Sequence, residues 1–271
     1  MHFSFVDGAA EDIISWVGNR RNLQGPPQLH LRAMALADVP PTPTLESGKA
    51  LPPLEATLFD LIKRAGLETL SYPFENHGLA VRDVFPRRGE ENALSSHGSV
   101  PLGYHTEMSF LDYRPTGSAD PLRCPELLLF ICLRNDANTP MKTVDVEDII
   151  GSIGGVKMKT LSKPIFINQP PASIMDERPP SLKRVLQGSL GDGVPIFQFD
   201  ECNTAPTCEE SREAISAICS AIHNSKKNIV SLEPGDILMI DNRRILHGRG
   251  AVSPSLEGQA RWLKRIYTVF A

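Results

Sequence analysis

The spacing of its apolar segments is what most constrains this chain. Runs of strand length, "QLHLRAMAL", "LAVRDVF", "ELLLFICLR", "GVPIFQFD", "GDILMIDNRRILHGR" and "RWLKRIYTVF", follow one another between turn-forming residues. Few are separated by a helix-length pattern, whereas parallel strands need a crossover of about a dozen residues or more. Antiparallel sheets closing into a sandwich or barrel, with helices packed outside, are expected instead. Two segments have helical periodicity. "LEATLFDLIKRAGLETL" repeats Leu54, Leu58, Leu61 and Ile62 and has a glycine near its end. "TCEESREAISAICSAIHN" carries an apolar stripe at Ile215, Ile218, Cys219 and Ile222, and Thr207 with Glu210 predicts its capping box.

Composition excludes several classes. A net charge of −4, with no basic block or aromatic-basic stripe, gives no basis for nucleic-acid binding. The most apolar run, Leu127 to Leu133, is far too short to cross a bilayer. The five cysteines are scattered, odd in number and without CxxC spacing. That pattern points to a reducing compartment and away from a disulfide framework or a structural zinc site. The first residues place acids before bases and hold no continuous apolar stretch, so a soluble, cytoplasmic protein is expected.

Chemistry enters with "GYHTEMSF". In an extended chain His105 and Glu107 point to the same side. Alone, such a pair is common on half-buried strands. Further on, "EPGDILMIDNRRILHGRG" reads as a turn and a strand that delivers His247 near its far end. On the last strand Arg261, Leu263, Arg265 and Tyr267 share one face and Trp262, Lys264 and Ile266 the other, with either face free to be the inner one. Two histidines and a carboxylate make the facial triad that holds non-haem Fe(II) and leaves three coordination positions open. A 2-oxoglutarate molecule would fill two of them, its distal carboxylate needing a cation such as Arg261. The third is left for O2.

These motifs resemble the clavaminate-synthase-like Fe(II)/2-oxoglutarate-dependent oxygenases, and within them the free-amino-acid hydroxylases of the viomycin-pathway arginine type. The likeness runs from about Leu29 to the C-terminus. It includes "VPPTPT", "RDVFPRRGEENALSSHGSVPLGYHTEMSF", "LLLFICLRND", "FQFDE", "GDILMIDNRRILHGRG" and "RWLKRIY", with Arg261 fourteen residues beyond His247. The resemblance implies a double-stranded β-helix (jelly-roll) core, mainly β with flanking helices, and one oxygenase domain over residues 1–271. Residues 1–53 would be a shortened N-terminal region with a Pro-rich connector, and residues 161–184 a surface loop or lid.

By the same resemblance His105, Glu107 and His247 would bind iron, and Arg261 and Thr143 would contact 2-oxoglutarate. Arg265 would meet the carboxylate of an amino-acid substrate, and Ser95 and Ser96 would border it. Asp200 sits where arginine hydroxylases place acids for a basic side chain. The implied reaction hydroxylates an unactivated C–H of a free amino acid or amino-acid-derived small molecule of secondary metabolism, releasing succinate and CO2.

The chain departs from its relatives in three places: before "QLHLRAMAL", at an inserted "PTGSADPLR", and at "SYPFENHG", which replaces the glutamine-glutamate pattern expected for arginine binding and leaves Glu75 or Asn76 as the substrate-binding candidates there. Alternatives remain open at this point. They are desaturation or cyclisation of a non-amino-acid substrate with the same cofactors, a zinc-dependent hydrolase, and a non-catalytic jelly-roll binding protein.

Overall fold

The computed structural model describes residues 1–44, 50–114, 117–172, 174, 179–189, 193–252 and 258–271. Two antiparallel sheets form its centre. The larger is six-stranded and runs Gln28–Arg32, Asp236–Asp241, Leu127–Arg134, Trp262–Phe270, Leu67–Leu70, with Val81–Val84 also paired to Trp262–Phe270. The smaller is four-stranded, in the order Asn228–Val230, Met141–Asp145, Ile245–Arg249, Leu102–His105. Mainly β with helices packed outside, this is the arrangement that the strand spacing and the motif resemblance led one to expect.

Strand alternation sorts side chains into layers. Leu128, Phe130 and Cys132, with Leu238, Ile240, Leu263 and Tyr267, face the smaller sheet and meet its Met141 and Ile245. The intervening Leu127, Leu129 and Ile131, with Trp262, Ile266 and Phe270, face outward onto the helices Ala9–Arg21 and Pro52–Arg64. Buried on both faces, "LLLFICL" (Leu127 to Leu133) is apolar throughout rather than alternating. The outer face of the smaller sheet, Val144 and Leu246, packs on the helices Val146–Ser152, Gly155–Leu161 and Glu209–Asn224. A cation shares the outer face of the last strand: the Lys264 ammonium lies 2.9 Å from both Glu55 and Asp83.

The expected elements need revision in several places. The helix Ala9–Arg21 was not evident in the sequence, and it gives the N-terminal region a structural role. "QLHLRAMAL" divides at Ala33 into two strands that join different sheets. "GDILMIDNRRILHGR" likewise is two strands, Asp236–Asp241 in the larger sheet and Ile245–Arg249 in the smaller. The capping box of the helix Glu209–Asn224 is made by Cys208 and Ser211, not by Thr207 and Glu210. Thr207 donates its hydroxyl to the Ile165 carbonyl, and the Glu210 carboxylate accepts from Thr160 and Lys163, so neither is free to cap.

Within residues 161–184, the strands Phe166–Asn168 and Leu182–Lys183 pair with each other, and Phe166–Asn168 also pairs with Thr204–Pro206. Residues 173 and 175–178 of this segment lie outside the described residues, as do 45–49 of the connector and 115–116 of the "PTGSADPLR" stretch.

The corner between Asp236–Asp241 and Ile245–Arg249 is held by charge. The fully buried Asp241 carboxylate accepts from Arg20 (Nε 3.1 Å, Nη2 2.8 Å) and from Arg243 (Nε and Nη2, both 2.8 Å). Arg20 comes from the helix Ala9–Arg21, so that helix is tied to the corner by a buried pair. Burial pushes the Asp241 carboxyl up, but the two guanidinium groups, Arg243 first, hold it below its ordinary 3.8. Its contribution to stability is therefore complete above that ordinary value and lost as the pH falls through the lower folded one.

Replacing Asp241 by Ala leaves two buried guanidinium groups without their shared acid. The expected loss is about 3–5 kcal/mol of unfolding free energy in urea titrations. A loss under about 1 kcal/mol would show the corner does not depend on this pair.

Candidate metal centre

His105 ends one strand of the smaller sheet, and His247 lies directly opposite on its neighbour Ile245–Arg249. That cross-strand pairing brings the two imidazole rings to a centroid separation of 4.3 Å. Close strand approach enforces it: a Cβ on Gly248 would stand 2.7 Å from the Leu102 carbonyl oxygen. Glu107 does not continue the strand. The chain turns after His105, and Met108 takes a left-handed conformation with φ of 53°. The pair converges through a turn rather than through strand alternation.

Asn242 makes that turn specific. Its side chain accepts from the Glu107 N–H (2.7 Å) and donates to the Glu107 carbonyl (3.0 Å) and the Pro125 carbonyl (2.9 Å). Asn242 lies at the corner between the two late strands and is fully buried. One residue therefore positions both the approach to His247 and the backbone of Glu107.

His105, Glu107 and His247 each offer one ligand atom, all within 4.8 Å of one another. Nδ1 of His105 is 2.9 Å from the Gly103 carbonyl, which turns Nε2 toward Glu107 Oε2 at 3.8 Å. His247 Nε2 is 3.4 Å from the same oxygen. Glu107 Oε1 is already engaged, accepting from Arg265 Nη1 (3.0 Å) and the Tyr267 hydroxyl (2.8 Å). The carboxylate thus presents a single oxygen, Oε2, to the histidines.

Electrostatics match this arrangement. Burial works against a charge on Glu107, yet Arg265 and the two histidines hold it well below the usual carboxylate range. Burial also lowers His105, but the bond and charge of Glu107 lift it to about 9. His247 falls to about 4 through burial and the charge of His105. The donor set fits a divalent ion of the kind bound by two histidines and a carboxylate.

Two adjoining cavities open at the triad, sharing His105, Glu107, Ser96 and Arg265. One is walled by His247, Phe130, Leu263, Arg249 and Arg261. Among the described residues Arg261 forms no ion pair, and its buried Nε has no hydrogen-bond partner. Burial and the facing charge of Arg249 lower its pKa to about 10. Arg249 itself spends its donors on backbone carbonyls of Ser95, Gly98 and Val100. A buried cation without an acid is costly, so this wall suits an anion. Thr143 is the cross-strand partner of His247, but its hydroxyl donates to Gln28 at 2.7 Å and it does not line this cavity.

The second cavity brings together Glu75, Arg82, Ser95, Asp200 and Tyr267. Glu75 Oε1 accepts from Arg82 and, at 2.8 Å, from Arg265. Asp200 bridges backbone to backbone with His105, but its carboxylate accepts from Cys202 N, Asn203 N and Asn203 Nδ2 at 2.8–3.0 Å. The Ser95 hydroxyl accepts from the His97 N–H, and the Ser96 hydroxyl from Arg82 Nε. Asn76 is turned away, donating to the Leu79 and Val81 carbonyls.

Sequence reading missed Asn242, Tyr267, Arg82 and Arg249 as members of the site. Tyr267 was at least assigned to the face of Arg261 and Arg265, and that signal was sufficient to find it. The other three depend on contacts across at least fourteen residues, which no local pattern carries.

Removing a ligand leaves two, so His105→Ala or Glu107→Ala should abolish Co(II) or anaerobic Fe(II) binding in spectroscopic titrations. Asn242→Ala and Tyr267→Phe act on the ligand's support and should weaken metal affinity roughly 10–100-fold. Unchanged affinity in both would remove their supporting role.

The family described as "Taurine catabolism dioxygenase TauD, TfdA family" matches residues 151–267. The L-asparagine oxygenase of Streptomyces coelicolor is 28% identical over 72% of this chain and 56% of its own length. The L-lysine 3-hydroxylase of Catenulispora acidiphila is 26% identical over 89% of this chain and 67% of its own. The chain thus spans little more than half the length of the first of these relatives.

Among solved structures, asparagine oxygenase with Fe(II), 2S,3S-3-hydroxyasparagine and succinate superposes with a TM-score of 0.82 at 25% identity. It covers 95% of this chain and 79% of that one. The non-haem iron oxygenase OrfP with Fe and alpha-ketoglutaric acid gives a TM-score of 0.79 at 25% identity, with the same two coverages, 95% and 79%. Family match, fold and donor set point the same way: residues 151–267 are similar to the TauD/TfdA family, and the fold is similar to that of the iron oxygenases above.

Proposed function

We propose that this protein is an Fe(II)/2-oxoglutarate-dependent oxygenase that hydroxylates an unactivated C–H of a free amino acid or amino-acid-derived small molecule. The observation that carries this reading is the unpaired, buried Arg261 in a cavity that also opens on the His105, Glu107 and His247 triad. A triad alone would suit zinc as well as iron. A hydrolase, however, would leave the buried cation unexplained, while a dicarboxylate co-substrate satisfies it. The relatives support the same class, being an asparagine oxygenase and a lysine hydroxylase, and their neighbours in structure hold iron with succinate or alpha-ketoglutaric acid.

When bound, iron and 2-oxoglutarate supply the oxidising chemistry with O2, releasing succinate and CO2. The residues of this chain do the rest. His105, Glu107 and His247 would hold the metal on one side, and Arg265 with Tyr267 would keep Glu107 bound through a single oxygen. Arg261 would grip the distal carboxylate of 2-oxoglutarate. The other wall of that cavity, Phe130 and Leu263, is apolar and would shield the co-substrate from water. The substrate would lie in the second cavity, where Ser95, Ser96, Glu75, Asp200 and Arg265 surround the space beside the metal. Thr143 would reach the co-substrate only by turning its hydroxyl from Gln28.

Losing a charge-assisted pair with a carboxylate costs on the order of 2–5 kcal/mol. Arg261→Ala should therefore raise the 2-oxoglutarate requirement of succinate formation at least thirtyfold. Lysine at 261 should rescue only part of this, since it supplies charge without the planar fork. A 2-oxoglutarate requirement unchanged in Arg261→Ala would refute the assignment.

A further inference from the structure

In the substrate-side cavity the acids are already spent. Arg82 and Arg265 are direct cross-strand partners on the strands Val81–Val84 and Trp262–Phe270, so two like charges face the same space. Directly opposed cations repel unless an anion lies between them. Glu75 is that anion: one of its oxygens accepts from both guanidinium groups, and the residue is only 4% exposed. Asp200, the other acid beside the triad, accepts from two backbone N–H groups and a side-chain amide of its own loop. Glu107 gives one oxygen to Arg265 and Tyr267 and turns the other to the histidines. No carboxylate of this wall is left whole for a basic side chain, which would need an acid of its own beyond the acceptor that any amino acid's α-ammonium takes. Donors, by contrast, remain: Arg265 Nε is buried without a partner.

We propose that Arg82 is a specificity-determining residue, which makes this cavity select a substrate whose side chain ends in a carboxyl oxygen, a carboxylate or a carboxamide, and reject a basic one. The inference rests on the oxygenase reading for the location of the substrate but not for its test. Arg265 would take the first carboxylate of such a substrate. Arg82, fixed through Nε by the Ser96 hydroxyl, would face its far end. A basic side chain would have to displace Arg82 from Glu75, its ion-pair partner, leaving that buried cation unpaired.

Calorimetric titration of the anaerobic protein loaded with Fe(II) and 2-oxoglutarate tests this without turnover. The ligands are aspartate, glutamate, asparagine, glutamine, lysine, ornithine and arginine, and the acid and amide arms separate the two sources of a carboxyl oxygen. Wild type should bind at least one acid or amide ten times more tightly than any basic amino acid. Arg82→Gln, which relieves Glu75 of one of its two guanidinium partners, should lose at least tenfold for that ligand and gain for the basic ones. Arg82→Lys keeps the charge and should retain the wild-type order of preference, so it serves if the glutamine variant fails to fold. Tighter binding of basic ligands by wild type, no binding of any ligand, or an unchanged order of preference in Arg82→Gln would overturn the proposal. Failure to form succinate alongside selective binding would instead count against the oxygenase reading alone.

Discussion

Glu107 is a carboxylate buried between two sheets, and much of the interior is arranged around the need to keep it charged. An isolated ion there would neutralise itself, because burial in a weakly polarisable medium disfavours the charged form. Arg265 and Tyr267 answer that need from the larger sheet, while the histidines do so from the smaller. Arg265 in turn requires a second acid, Glu75, and Glu75 draws in Arg82. The chain of alternating charges ends at the Ser96 hydroxyl, in the loop bordering the cavity. A single metal-ligand carboxylate thus accounts for the polarity of an entire wall.

The corner at Asp241 to Arg243 supports this from behind. Asp241 neutralises Arg20 and Arg243, and Asn242 holds both backbone groups of Glu107. The N-terminal helix therefore bears on the metal centre although none of its side chains lines either cavity. Asn242 is a good residue for that role, since its amide both donates and accepts where an aspartate could only accept.

How much of this was legible beforehand follows from the range of each interaction. His105, Glu107, His247 and Arg261 declare themselves by short spacings and by a fixed separation along the chain, and these residues are found around adjoining cavities. The face of the last strand could be read from alternation. Which face was inside could not, because Lys264 on the other side is itself buried and paired with Glu55 and Asp83. The helix Ala9–Arg21 escaped although Ala9, Ile13, Trp16 and Val17 recur at helical spacing, because two of its small apolar positions are alanines and its buried face ends in a charge, Arg20. Thr143 carries a contact that no motif announces. Its position beside His247 is as the motif suggests, but a glutamine on a distant strand claims its hydroxyl.

The strand that leaves the larger sheet at Asp241 and enters the smaller at Ile245 has a mechanical meaning. Both histidines stand on the smaller sheet, whereas Arg261 and Arg265 belong to the last strand of the larger or its edge. The backbone distance from the histidines to the strand that carries the arginines is thus an inter-sheet spacing, typically about 10 Å in packed sheets. It is set by the volumes of Phe130, Met141, Ile245 and Leu263, which lie between the layers. These spacers work like shims in a vice. Changing one by a methylene alters the reach between the two halves of the site while leaving every ligand in place, so the core of this fold is also an adjustable part of its chemistry.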